Sequence, residues 1–176
     1  MSKTKILFPF EILRKVVLEL KKDGKRICFT HGAFDLFHYA HLDLLKKSAA
    51  ICDFLVVGVE SDDRVADYKY YKRPIINQEQ RMNIVNSIHC VDAAFIKDIP
   101  LNIPSHVALY KELMIDIVSI GQHFDYEEIV EEQTYKSGAK LVKIPTPQDI
   151  TTTGITESIL IKYRQNEYQD VPKSDF

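Results

Sequence analysis

The stretch FTHGAFDLFHYAHLDLL, from Phe29 to Leu45, passes from an apolar run through a glycine-containing turn into a helical pattern. Arg26 to Thr30 reads as a buried strand. Gly32 permits a tight turn and a close approach to the backbone. HLDLLKKSAAI then spaces its apolar residues as a helix does. A strand that hands the chain directly to a helix opens a βαβ unit, and two imidazoles stand at that junction. His38 and His41, three residues apart, share one face of the first helical turn.

The same alternation continues in both directions. Upstream, Glu11 to Lys22 has the spacing of an amphipathic helix and stops at DGK. Downstream, DFLVVGVES is a continuous apolar run, as expected of a parallel strand buried on both faces. YKYYKRPI is a basic, aromatic loop. NQEQRMNIVNSI is a helix opened by Asn77 as N-cap. DAAFI is a strand, IPSHVALYKELM a helix, IDIVSIG a strand ending in glycine, YEEIVEEQTYKSG a helix with a glycine stop, AKLVKIP a strand, and DITTTGITESILIKY a last helix after a threonine run. Five strands alternating with helices over short connections predict a single Rossmann-like, doubly wound α/β domain with a mostly parallel five-stranded sheet. Its expected limits are an N-terminal helical extension over 1–24, the domain proper over 25–165 and a polar tail over 166–176. Right-handed crossovers put the C-terminal strand ends on one edge, where open α/β sheets bind ligands.

Composition narrows the partners. The chain has 176 residues and is 45% hydrophobic, which suits one domain with a proper core. Its formal net charge of −2 provides no basic field for nucleic acid, so a phosphate ligand has to be met by local charge. No apolar run has the length of a membrane span, and MSKTKILFPF lacks a cleavage signal, so the reading is cytoplasmic with no membrane partner. Cys28, Cys52 and Cys90 form no C-x-x-C pair, and their odd number argues for reduced, buried thiols rather than a disulfide framework.

A helix N-terminus offers unpaired N–H groups and partial positive charge to an anion. Two imidazoles aimed at the same point can donate to charge developing on a transferred phosphoryl or nucleotidyl group. On these residues alone, a phosphate site and a pair of structural histidines both fit. A metal site lacks a third ligand at familiar spacing. Asp35 fits better as a brace for the turn than as a base. His89 and His106 have no motif around them.

HGAFDLFHYAH resembles the G-x-F-D-x-x-H-x-G-H signature of the cytidylyltransferase-like nucleotidyltransferase superfamily, with the HxGH histidines at His38 and His41. KRPIINQEQRM, IDIVSIGQHFD and DITTTGI resemble further blocks of the nucleotidyltransferase domain that makes ADP-heptose, in the same order. The resemblance implies that His38 and His41 contact a triphosphate and stabilise the transition state. It adds Lys69 and Arg81 to the catalytic set. Thr30, His31, Gly32, Ala33, Phe34, Gly121 and Thr151, Thr152 and Thr153 would hold the nucleotide. Lys69, Lys72, Arg73 and His123 would hold the phosphorylated acceptor. No protein metal site is implied; Mg²⁺ would enter with the nucleotide.

The chain departs from the pattern at Ala40, where the motif has glycine, and at His31, where asparagine or tyrosine is usual. The arginine that glycerol-phosphate cytidylyltransferases carry before the threonine block is Thr146 here. The resemblance implies a homodimeric enzyme that moves a nucleoside monophosphate from an NTP, CTP in the first instance, to a small phosphorylated sugar or polyol for surface polysaccharide. ATP, in the manner of ADP-heptose synthesis, is the alternative nucleotide. A pocket that binds nucleotide for regulation without turnover is the rival class.

Overall fold

A computed structural model describes residues 10–69, 73–100, 102–122 and 126–164. Five strands, β1 (Ile27–Gly32), β2 (Phe54–Glu60), β3 (Ala93–Lys97), β4 (Ile117–Gly121) and β5 (Lys140–Ile144), form one sheet in the order β3-β2-β1-β4-β5, and every pairing is parallel. Among the described residues seven helices accompany them: α1 (Phe10–Lys22), α2 (Tyr39–Ala49), α3 (Asp62–Tyr68), α4 (Gln78–Ser87), α5 (Ile103–Glu112), α6 (Glu127–Ser137) and α7 (Thr152–Arg164). The doubly wound order reverses at β1, between β2 and β4, so the crevice at that switch point lies beside the β1–α2 turn.

Strand alternation builds two cores. Ile27, Phe29 and Val56 join Leu13 and Val17 of α1, Leu109 and Tyr110 of α5 and Val130 of α6 on one face. Cys28, Leu55, Val57 and Val59 join Leu45 of α2 and Met82 and Val85 of α4 on the other. Residues one apart in a strand point to opposite faces, and here both faces are covered. Lys21 ties α1 to the start of β4 through Asp116 at 2.6 Å.

Local chemistry sets the helix ends. Asn77 accepts from the Gln80 N–H at 3.0 Å and caps α4, as Asn102 caps α5 through the Ser105 N–H at 2.9 Å. Gly138 ends α6 at φ 85°, a left-handed conformation suited to glycine. One element differs from the sequence reading. α3 occupies Asp62–Tyr68, ahead of the basic loop, with Ser61 accepting from the Arg64 N–H at 3.2 Å. Seven residues with a single buried apolar side chain, Val65, carry too little periodicity to announce a helix. α7 buries no residue, and Ile159, Leu160, Ile161 and Tyr163 are exposed. Among the described residues, no helix is long and apolar enough to cross a membrane. Cys28 is buried, and Cys52 and Cys90 are half-buried.

Candidate active site

At the C-terminal edge of the sheet lies a cavity of about 760 Å³. The β1–α2 turn forms its floor with Gly32, Ala33, Phe34 and Asp35. His38, Ala40 and His41 line it from the start of α2. Gly121, Thr146 and Thr151 to Thr153 line the side of β4, β5 and α7, and His31, Glu60, Tyr68, Lys69 and Arg73 line the other. Two helix N-termini, those of α2 and α7, therefore open onto one space, each with unpaired N–H groups and partial positive charge.

The imidazoles of His38 and His41 stack, with centroids 3.8 Å apart and planes at 23°. The His38 backbone N–H reaches His41 Nδ1 at 3.4 Å, which leaves the His41 proton on Nε2. Phe34 and Phe37 flank His41 at centroid distances of 5.4 and 5.5 Å. Neither ring nitrogen of His38 has a hydrogen-bond partner among the described residues. Burial lowers the His38 pKa, and burial followed by the neighbouring His38 pushes His41 down to about 3. At neutral pH each ring is an uncharged donor of one N–H.

The turn that presents them is held by Asp35, which is 1% exposed. Its carboxylate accepts from the N–H groups of Leu36 at 3.1 Å, Ile75 at 3.0 Å and Ile76 at 3.0 Å, and pairs with Arg73 Nε at 2.9 Å. Thr152 Oγ1 donates to the Asp35 carbonyl at 2.9 Å, so α7 is fastened to the same turn. Thr151 caps α7 by accepting from the Gly154 N–H at 3.0 Å. The left-handed backbone of the turn falls on Phe34 (φ 52°) and Leu36 (φ 45°) rather than on Gly32, the glycine from which the sequence reading derived the turn. Non-glycine residues held in this region are uncommon and concentrate at functional sites.

Two expected site residues lie elsewhere. Arg81 is fully buried behind the turn, with Nε on the Ile76 carbonyl at 2.8 Å, Nη2 on the Glu60 carbonyl at 2.8 Å and on Asp62 at 2.7 Å, and Nη1 on the Ala33 carbonyl. Its guanidinium joins three segments of the wall and faces none of the cavity, so Arg81 positions the turn instead of meeting substrate. Thr30 is also fully buried, with its hydroxyl on the Ser119 carbonyl at 2.8 Å, a bond between β1 and β4. Lys72 and His123 lie outside the described residues.

Glu60, at the end of β2, is a buried, charged cavity residue that sequence reasoning missed. It is 5% exposed and faces His31 Nδ1 at 3.3 Å. A charged residue ending an otherwise apolar parallel strand, at the edge where ligands bind, is the signal that marks it. Among the described residues no three His, Cys, Asp or Glu side chains converge on a point that could hold a metal ion. The turn carboxylate, Asp35, is engaged by backbone and Arg73. A Mg²⁺ that arrives on phosphate oxygens would need no such cluster.

Residues 29–162 match the family model described as cytidylyltransferase-like. The chain is similar to the bifunctional protein HldE of Geobacter sulfurreducens, 32% identical over 156 residues, covering 87% of this chain and 31% of that protein. HldE of Geotalea uraniireducens is 34% identical over 152 residues, 85% of this chain and 30% of that protein. The chain thus spans about a third of the length of these curated relatives. Among solved structures, the lipopolysaccharide core biosynthesis protein of Thermoplasma volcanium GSS1 superposes with a TM-score of 0.61 at 25% identity, covering 71% of this chain and all of that one.

Proposed function

The chain belongs to the cytidylyltransferase-like family, and from that premise we propose that it transfers AMP from ATP to a sugar phosphate, releasing pyrophosphate, in the synthesis of surface polysaccharide. The class, a nucleotidyltransferase-type enzyme acting on a phosphorylated metabolite, follows from the family and the relatives. The nucleotide is the finer step. CTP is the first expectation from the sequence motif; the similarity to HldE, of the ADP-heptose synthase family, favours ATP.

The observation that carries the proposal is the stacked pair of neutral imidazoles at the N-terminus of α2, in one cavity with the threonines that open α7. An acceptor phosphate is already anionic and needs no base to activate it. Its oxygen forms a bond to the α-phosphorus as the bond from that phosphorus to the bridging oxygen breaks, and pyrophosphate leaves with the electron pair. Charge grows on the α-phosphoryl oxygens and the leaving group. The N–H donors of His38 and His41, fixed by stacking and by the helix start, meet that charge without reorganising. The α7 start would take the remaining phosphates, and Lys69 and Arg73 the acceptor's. Mg²⁺ bound with the triphosphate would neutralise its β- and γ-oxygens.

Pyrophosphate release, assayed with ATP and CTP against mannose 1-phosphate, a heptose 1-phosphate and glycerol 3-phosphate, tests this. ATP with a sugar phosphate is expected to be the fastest pair. His38→Ala and His41→Ala should each lower kcat by about 10²–10³, the usual effect of losing one such donor. His89→Ala, at an exposed position outside the cavity, is the control. A folded variant lacking both His38 and His41 that keeps the parent rate would overturn the assignment.

A further inference from the structure

One wall of the cavity is charged in a way that phosphate binding does not call for. Glu60 closes β2 and Lys97 closes β3, in register across the parallel pair. Lys97 is 2% exposed, and its Nζ stands 3.6 Å from Glu60 Oε1 and 3.1 Å from His106 Nε2. His106 Nδ1 is anchored on the Asn102 carbonyl at 3.0 Å. On the cavity side, His31 Nδ1 faces Oε1 at 3.3 Å and the Tyr68 hydroxyl donates to Oε2. Burial works against ionisation of Glu60, yet the hydrogen bond from His31 and the charges beside it hold the carboxyl at about 2.

A fixed, buried carboxylate repels phosphate, so this wall is not where the triphosphate lies. The opposite wall has the α7 N-terminus and the threonines, which suit it. Lys69, exposed and next in sequence to the Tyr68 that bonds Glu60, stands on the rim, and Arg73, paired with Asp35, lines the same cavity. A molecule with a phosphate at one end would therefore place that end on the rim and its other end against Glu60. An ionised carboxylate only accepts hydrogen bonds. Its charge is already answered by Lys97 from behind, so the cavity side suits a neutral O–H donor rather than a second cation. Tyr68, the hydrogen-bond partner of Oε2 among the described residues, is a donor of that type.

We propose that Glu60, backed by Lys97 and flanked by His31 and Tyr68, is the subsite that recognises hydroxyl groups of the phosphorylated acceptor and so selects polyol or sugar phosphates over plain alkyl phosphates. This rests on the nucleotidyl-transfer reading for the word acceptor, but the selectivity is a property of binding and is measured without turnover. A carboxylate has about four acceptor sites, of which His31, Lys97 and Tyr68 take three; an analogue without the hydroxyl leaves the remaining one unpaired, and the site rejects it for that reason.

The test is calorimetric titration of the full chain with mannose 1-phosphate, glycerol 3-phosphate and n-propyl phosphate, with and without α,β-methylene-ATP and Mg²⁺. The parent should bind at least one hydroxylated ligand about 10- to 100-fold more tightly than n-propyl phosphate, the range of one hydrogen bond to a charged group. Glu60→Gln should shrink that ratio at least severalfold. Because Glu60→Gln leaves Lys97 buried without its counter-ion, Glu60→Gln/Lys97→Met removes both charges and gives the same reading if the single variant fails to fold. A parent that does not distinguish the ligands overturns the proposal, as does a folded variant with the parent's ratio. If the preference depends on Glu60 but no pyrophosphate is released with any NTP, nucleotidyl transfer falls and the hydroxyl subsite stands.

Discussion

Arg81 and Lys69 both entered as catalytic candidates, and their surroundings give them opposite chemistry. The Arg81 guanidinium joins the Ala33, Glu60 and Ile76 carbonyls and Asp62 with no exposed surface. Replacing it by Met would leave the three carbonyls without that donor and release the part-exposed Asp62, a loss of about 1–3 kcal/mol for each carbonyl left unsatisfied in the interior. Urea denaturation of Arg81→Met should show it, and any fall in activity should come together with the lowered urea midpoint. Lys69 caps α3 at the cavity rim, its Nζ 5.5 Å from the Tyr68 ring centroid. Lys69→Ala should leave the urea midpoint within error and lower kcat/KM for the acceptor. A destabilised Lys69 variant or an undisturbed Arg81 variant would reverse the two roles. The E-Q-R block located Arg81 in the chain, but a linear motif does not say which way a side chain turns. Glu60 was missed for the complementary reason. His31, Lys97 and His106 lie 29, 37 and 46 positions from it; sheet register brings the first two to it, and α5 packs His106 onto Lys97. His38, His41 and the threonines were legible because their chemistry is that of a helix start, which is local.

Strands and helices were readable for the same reason of locality. Alternation within a few residues, Asn77 as a cap and Gly138 as a stop determine an element without reference to the rest of the chain. β2 carries one feature that only packing explains. Gly58 interrupts FLVVGVE, and a Cβ there would stand 2.9 Å from Phe29 Cζ, 3.2 Å from Phe29 Cε2 and 3.3 Å from Lys97 Cβ. Phe29 in turn stacks on His31 and Phe95 with centroids at 5.7 and 6.2 Å and touches Tyr110, so it has little room to retreat. Gly58→Ala should cost about 1–3 kcal/mol, as overpacking a dense core does, read as a lower urea midpoint at unchanged m-value. Since Phe29 and Lys97 support His31 and Glu60, the variant should also weaken hydroxyl selectivity. An unchanged midpoint would mean that the core around Phe29 is looser than these distances imply.

Across the whole molecule, burying imidazoles uncharged makes stability depend on pH in a set direction. Burial lowers the pKa of His31, His38, His41 and His106, the last two to about 3, with the neighbouring His38 adding to the effect on His41 and Lys97 and His31 adding to that on His106. In the unfolded chain the same rings titrate near 6.5. Below that pH the unfolded state binds protons that the folded state refuses, so stability falls as the solution is acidified and recovers as pH rises. Between pH 6.5 and 5 the loss is about 1–2 kcal/mol for each of His41 and His106, since the unfolded ring is half protonated at 6.5 and nearly fully so at 5 and each bound proton counts about 1.36 kcal/mol per unit. Glu60, depressed to about 2, adds to the loss only below its unfolded value near 4.5, outside that window. Urea denaturation at pH 7.5, 6.5, 5.7 and 5.0 should therefore show a steady decline that steepens below 6.5. His41→Gln, which cannot take up the proton, should flatten the decline by about one proton per molecule. A stability that stays level from pH 7.5 to 5.0 would mean that these imidazoles are solvated in the free protein. His38 and His41 would then start as cations at acidic pH and not as the neutral donors on which the proposed transfer rests.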